Sequence, residues 1–163
     1  MWGWPGFFAK NFVVVPAGIE AAQAMARLHE EDFIRPWTDG EFLQLLKQET
    51  VFAFLACQEG KGSGQPAGFV LARLAAGEAE ILTIAVARAF RRRGIGRMLM
   101  DAVMRKLHGE RAESLFLEVD ETNAAAIALY RRFGFRKVGE RKAYYEAGNG
   151  RRNSAIVMRV DFR

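Results

Sequence analysis

A run of basic residues around two glycines carries the strongest chemical signal in the chain: Arg91-Arg92-Arg93-Gly94-Ile95-Gly96-Arg97. Gly94 and Gly96 let the backbone come close to a ligand. The helical pattern that follows would present free N–H groups and the positive end of its dipole. Arg88 and the four loop arginines add charge, and planar guanidinium forks suit oxyanions. The loop is therefore suited to a phosphate or pyrophosphate. A basic, solvated turn whose glycines serve chain geometry is the competing reading, and glycine spacing alone does not separate the two. The position after an apolar strand and before an amphipathic helix favours phosphate. No Gly-Lys-Ser/Thr follows, which excludes a P-loop. Leu99 stands where a dinucleotide fingerprint needs its third glycine.

These residues need elements to hold them. Residues 12–15 are a β-branched run ended by Pro16, which predicts a first strand. Residues 19–33 have helical spacing, with Pro36 beyond their end. Thr38-Asp39-Gly40-Glu41 reads as a capping box opening a second short helix. Residues 51–58 and 67–74 read as strands joined by a Gly-rich turn. Residues 80–87 form a continuous apolar strand, the pattern of one buried on both faces. Ile95, Met98, Leu99, Ala102, Val103 and Leu107 have the period of a helix that Gly109 closes. Residues 114–119 predict another strand. Asn123 caps a helix over 124–133, and Gly134 follows it as a terminating glycine. Residues 135–138, extending toward Tyr145, and residues 155–160 are the last strands. The second half thus alternates strand and helix, an α/β arrangement mixed with antiparallel elements.

Composition narrows the classes. The chain has 163 residues with 24 Lys and Arg against 19 Asp and Glu, a formal charge of +5. That length predicts a single domain over 1–163, with residues 1–11 as a peripheral segment. Most of the cations are arginine, and the pI of about 9.7 points to an anionic partner. Cys57 is the sole cysteine, so no intramolecular disulfide forms. With His29 and His108 the only histidines, no zinc site of the usual spacing is available, and no metal is expected. The N-terminus lacks the pattern of a secretory signal. The longest apolar stretch, near residues 81–87, is far below the roughly 20 residues that span a bilayer. A cytoplasmic protein without a membrane partner is expected. His29, His108 and Cys57 read as structural.

Arg91-x-x-Gly94-x-Gly96 after Ile84-Ala85-Val86 resembles the acyl-CoA-binding motif of the GNAT N-acetyltransferases. Leu117-Glu118-Val119, Asn123-Ala-Ala-Ala-Ile-Ala-Leu-Tyr130 and Phe133-Gly134-Phe135 are similar to that superfamily's next motif. The wording resembles the RimI-type N-terminal acetyltransferases of ribosomal proteins, and Pro36-Trp37, Tyr144-Tyr145 and Ala155-Ile-Val-Met158 fit the same group. The likeness covers about residues 12–162. Two departures stand out. Ser154 occupies a position where that group commonly has Asp, which could alter peptide recognition. Three consecutive arginines replace a more usual Arg-x-Gln or Gln-x-x form, and these should still hold an anion.

The resemblance implies a fold with a mostly antiparallel central sheet, one splayed parallel pair and flanking helices. It implies acetyl-CoA as donor, with the pantetheine arm between the splayed strands. Backbone of Ile84, Ala85 and Val86 would bind that arm, and Arg91, Arg92, Arg93, Gly94, Ile95, Gly96 and Arg97 would take the pyrophosphate. Asn123 would hydrogen-bond the cofactor or a water. Glu118 becomes the expected general base and Tyr130 the expected general acid, with Tyr130 also at the cofactor.

Glu118 sits in an otherwise apolar strand, and an apolar setting would raise its pKa toward neutrality. Alternation along the strand could instead put it on a wet face. Glu80 is the rival carboxylate. Tyr130 lies seven residues after Asn123, two helical turns on, so the two share a face; a core aromatic is its bland alternative. The implied acceptor is a protein N-terminus, the alanine of a small-subunit ribosomal protein. A small amine or a lysine is the other enzymatic reading. A non-catalytic CoA-binding protein, or a basic ribosome- or nucleic-acid-binding module, is the non-enzymatic one. The arginines concentrate at one glycine loop, so direct nucleic-acid reading is not expected.

Overall fold

The computed structural model describes residues 11–62, 64–146 and 152–162. The expected N-terminal segment falls almost wholly outside them. Seven strands form one sheet in the order β1-β2-β3-β4-β5-β7-β6. They are β1 (Phe12–Ala17), β2 (Val51–Gln58), β3 (Gly68–Ala75), β4 (Glu78–Val86), β5 (Ser114–Asp120), β6 (Arg136–Glu146) and β7 (Arg152–Asp161). Helices α1 (Ala22–Asp32), α2 (Asp39–Leu46), α3 (Ile95–Gly109) and α4 (Ala124–Arg132) complete the described elements. The chain packs as two compact units, one of Met1–Arg73 with Leu82–Lys106, the other of Leu74–Ile81 with Leu107–Arg163.

In the first unit β1 pairs antiparallel with β2, and β2 with β3. Pro16 does not stop β1, as the sequence suggested; the strand runs on to Ala17. As the sheet's edge β1 has a neighbour on one side only, where a residue lacking an N–H is tolerated. A short 3-10 turn, Ile19–Ala21, precedes α1, so the predicted helix starts later than its pattern. The N-cap of the expected box is present: Thr38 Oγ1 accepts from the Glu41 N–H at 3.1 Å and opens α2, and the Thr38 hydroxyl lies 3.4 Å from Glu41 Oε1. Met25, Leu28, Phe42, Leu55, Phe69 and Leu71 are buried in one cluster with Ala85 of β4 and Ala87 just beyond it.

Burial along β4 corrects one expectation. Ala79, Ile81, Thr83 and Ala85 are buried, but Leu82, Ile84 and Val86 are only half-buried. The strand alternates, and its apolar composition on both sides concealed that one side is partly open. Gly68 shows how tightly the buried side is held. A Cβ there would stand 2.9 Å from the Ala85 carbonyl oxygen, 3.2 Å from Ile95 Cγ2 and 3.3 Å from Leu99 Cδ1. Gly68→Ala is therefore expected to cost about 1–3 kcal/mol through overpacking. A melting temperature lower by several degrees checks this; an unchanged one would mean that β4 yields freely.

In the second unit β4 pairs parallel with β5 over Glu78–Ser114, Ala79–Leu115 and Glu80–Phe116. Antiparallel pairs join β5 to β7 along the whole of β5 and β7 to β6. Leu115, Leu117, Ala155 and Met158 are buried. The mostly antiparallel sheet with one parallel pair is the architecture the sequence led us to expect.

Candidate acetyl-transfer site

The glycine loop lies in the first unit. Arg92 has φ +63° and Gly94 φ +79°, so the chain takes two left-handed residues before α3. A non-glycine residue held in that region costs of order 1 kcal/mol, and such positions cluster where a loop is built for a ligand. The Met98 N–H donates to the Gly94 carbonyl at 3.0 Å. The amides of Ile95, Gly96 and Arg97 thus stand in the first turn, ahead of any acceptor four residues back. This geometry fits an anionic phosphate group at the helix start.

The arginines divide. Arg91 pairs with the Asp32 carboxylate on α1 and points Nε at the Val86 carbonyl at 3.4 Å. The Arg88 backbone N–H donates to Glu31 at 2.9 Å, and its guanidinium donates to the Glu31 carbonyl. These two tie the loop to α1. Arg93 instead lies over the Phe90 ring, 5.5 Å from its centroid. The Arg91 side chain thus pairs with α1 while remaining partly exposed beside the loop.

The second unit holds the two candidate proton-transfer groups. Tyr130 owes its placement to the end of α4. Gly134, at φ +92°, donates its N–H to the Arg131 carbonyl, and Phe135 donates to the Tyr130 carbonyl at 3.1 Å. This pair of bonds is the Schellman closure, with its usual apolar contact between the flanking residues. The Tyr130 and Phe135 rings are 5.8 Å apart. Tyr130 is 6% exposed, and burial pushes its phenol up to about 12. The group stays protonated at any working pH, as a donor must.

At the other end of α4, Asn123 Oδ1 accepts from the Ala126 N–H at 3.2 Å. That oxygen caps the helix, so a cofactor contact by Asn123 would have to use the rest of its amide. Asp120, three residues before Asn123, is held by its neighbours. It accepts from the Thr122 N–H at 2.8 Å and the Thr122 hydroxyl at 2.7 Å, and Asn153 Nδ2 donates to both its oxygens. Burial opposes the charge on Asp120, but these hydrogen bonds outweigh it and hold the carboxyl below its usual range. Ser154, the departure noted above, accepts the Glu121 N–H on its carbonyl.

Glu118 is not in the apolar setting its neighbours in sequence suggested. Alternation along β5 buries Leu117 and Val119 and leaves Glu118 on the open face. Arg141 of β6 reaches it, with Nη2 3.4 Å from Oε2. The Glu118 carboxylate is thus accessible and paired with a cation. Glu80 lies at the three-residue parallel pairing, opposite Phe116. Tyr144 and Tyr145 belong to β6, and their side chains lie outside the described residues.

The first unit also contains a shallow, open cleft of about 620 Å³. Trp37, Thr38, Glu41, Gln44, Arg73 and Leu82 are among its lining residues. Sequence reasoning missed it as a site because its walls come from separate segments. The available signal was Trp37, a large aromatic placed between Pro36 and the cap of α2. Behind it, His29 is 2% exposed, and burial drives its pKa down to about 4 against a smaller opposing pull from Glu41. Cys57 is buried, and burial pushes its thiol up, in keeping with a structural role. His108 packs edge-on against Phe162 at 5.1 Å, also structurally. Among the described residues no group of His, Cys, Asp or Glu could hold a metal ion, and no helix is long and apolar enough to cross a membrane.

A positive-φ glycine loop leading into a helix, beside a half-open β4, followed by a carboxylate strand and a tyrosine helix, has counterparts among known proteins. Residues 22–135 match the acetyltransferase (GNAT) family, and the chain belongs to that family. It is 35% identical over 123 residues to the ribosomal protein bS18-alanine N-acetyltransferase of Escherichia coli K12, covering 76% of this chain and 79% of that one. It is 34% identical over 142 residues to N-alpha-acetyltransferase RimI of Mycobacterium tuberculosis, covering 86% of each. The crystal structure of the ribosomal-protein-S18-alanine N-acetyltransferase from Escherichia coli superposes with a TM-score of 0.83 at 29% identity, over 92% of this chain and 93% of that one. The chain is accordingly an acetyltransferase enzyme, and the non-enzymatic readings of its basic surface fall away.

Proposed function

We propose that this enzyme moves an acetyl group from acetyl-CoA to the α-amine of a protein N-terminus, with an alanine-initiated ribosomal protein as the acceptor. The observation that carries this reading is the 35% identity to a ribosomal-protein-alanine N-acetyltransferase over three quarters of the chain. The candidate chemistry agrees with it. The α3 amides of Ile95, Gly96 and Arg97, with Arg92 and Arg93, take the pyrophosphate, and backbone of Ile84, Ala85 and Val86 takes the pantetheine arm. The donor supplies a thioester carbonyl for attack. Glu118 accepts the proton that the amine loses as its nitrogen bonds to that carbonyl carbon, directly or through a water. Tyr130 gives a proton to the sulfur as the carbon–sulfur bond breaks.

Energetics favour the α-amine. Its pKa is near 8, against 10.4 for lysine. Neutralising it at pH 7 costs about 1–1.5 kcal/mol, whereas lysine costs about 4.6 kcal/mol. An exposed carboxylate such as Glu118 is a sufficient base for the smaller task. The cleft beside Trp37 supplies what an entering chain needs: an aromatic and aliphatic wall with a few polar groups, Glu41, Gln44 and Arg73, to orient it. Leu82 of this cleft is on the same strand as Ile84. We assign the cleft to the acceptor chain.

An assay with acetyl-CoA across peptides that differ only in their first residue tests this. An alanine start is expected to give the highest kcat/KM. Equal rates for every start, or activity confined to polyamines, would remove the ribosomal-alanine assignment.

A further inference from the structure

His29 is a buried polar side chain that the chemistry above does not use. Its ring is enclosed by aromatics: stacked on Phe33 with centroids 3.8 Å apart, 5.0 Å from Trp37, and edge-on to Phe42 at 5.3 Å. An imidazole buried this way must have both nitrogens satisfied, since an unmade bond costs the full desolvation of the group. Both are satisfied. The Trp37 backbone N–H donates to Nδ1 at 3.0 Å. Nδ1 therefore carries the lone pair and Nε2 carries the hydrogen. Nε2 lies 3.1 Å from Thr83 Oγ1 and so donates to it.

These two bonds have a direction. Trp37 forms part of the cleft wall, and Leu82, the residue before Thr83, forms another part. His29 is thus bonded to the backbone of one wall residue and to the side chain adjoining the second. A protonated ring would present a hydrogen at Nδ1 to the Trp37 N–H, so the arrangement exists only with neutral imidazole. The surrounding aromatics enforce that state, and Glu41 is the charged group acting against it.

We propose that His29 is a positioning residue for the acceptor: it pins the Trp37 wall of the cleft to β4, and thereby fixes where the incoming chain lies relative to the backbone of Ile84. This rests on the assignment of the cleft to the acceptor, not on the identity of the amine. The residue touches no reacting atom; it sets the geometry of a wall that does touch the substrate.

His29→Phe keeps an aromatic ring in the stack and removes both hydrogen bonds. Thr83→Val keeps shape and removes one. In His29→Phe the KM for the acceptor peptide is expected to rise about tenfold, the scale of one to two lost hydrogen bonds. The KM for acetyl-CoA and the kcat at saturating peptide should each stay within about twofold. Thr83→Val should move the same constant in the same direction by a smaller factor, and it covers the case in which His29→Phe does not fold. The wall itself can be read by fluorescence. With Trp2 and Trp4 replaced by Phe, Trp37 is the remaining tryptophan, and His29→Phe or Thr83→Val should shift its emission to the red.

Should the enzyme prefer another amine, the same split is read on that amine, and the emission shift needs no substrate. A folded variant with unchanged peptide KM and unchanged Trp37 emission would overturn the proposal. So would parallel losses in both substrates' KM, which would mark His29 as a core residue only.

Discussion

Tyr130→Phe is expected to lower kcat by roughly 10²–10⁴, the range for loss of a general acid, while acetyl-CoA binding stays nearly unchanged. The substitution removes one oxygen and keeps the ring that packs against Phe135. The Schellman closure that places the residue uses backbone groups alone, so it survives. Burial holds the phenol protonated, up to about 12, so the proton is present at every pH at which the enzyme would be assayed. The leaving thiolate must otherwise depart unprotonated or wait for water. Rates should be measured by single turnover, where chemistry limits. An unchanged rate there would return Tyr130 to a packing role.

Glu118→Gln should lower kcat by a comparable factor, roughly 10²–10⁴, and the loss should shrink as pH rises. Glutamine matches the carboxylate in shape but cannot take the proton. Raising the pH increases the fraction of α-amine already neutral, since its pKa is near 8, and so supplies part of what the base supplied. Stability should change little. The pair with Arg141 is solvent-exposed on both sides, and such pairs contribute about 0–1 kcal/mol. A variant whose pH–rate profile matches the wild type would move the base elsewhere, to Glu80 or a chain of waters.

Local signals in the sequence located most of the elements, because each signal is a short-range bond. Thr38 and Glu41 announce α2 because their cap joins residues three apart. Asn123 and Gly134 bound α4 for the same reason. The glycine loop was legible because glycine at Gly94 answers a left-handed φ. What escaped depends on partners far along the chain. Glu118 looked apolar from Leu117 and Val119, but its environment is decided across the sheet by Arg141. The pairing of Arg91 with Asp32, on α1, likewise joins residues 59 apart. The alternation of β4 was hidden because apolar residues occupy both of its sides, Ile81 and Ala85 on the buried one and Leu82, Ile84 and Val86 on the other. The cleft and the bonding of His29 to Trp37 and Thr83 join segments that no local pattern connects.

The central claim is that the α-amine of a protein N-terminus receives the acetyl group. One peptide tests it: a free N-terminal alanine and an internal lysine, incubated with the enzyme and acetyl-CoA, with the product fragmented by mass spectrometry to locate the added acetyl. The account predicts a single acetyl on the alanine nitrogen, and no product when that nitrogen is blocked in advance. Acetyl found on the lysine, at equal rates with the N-terminus free or blocked, would contradict it.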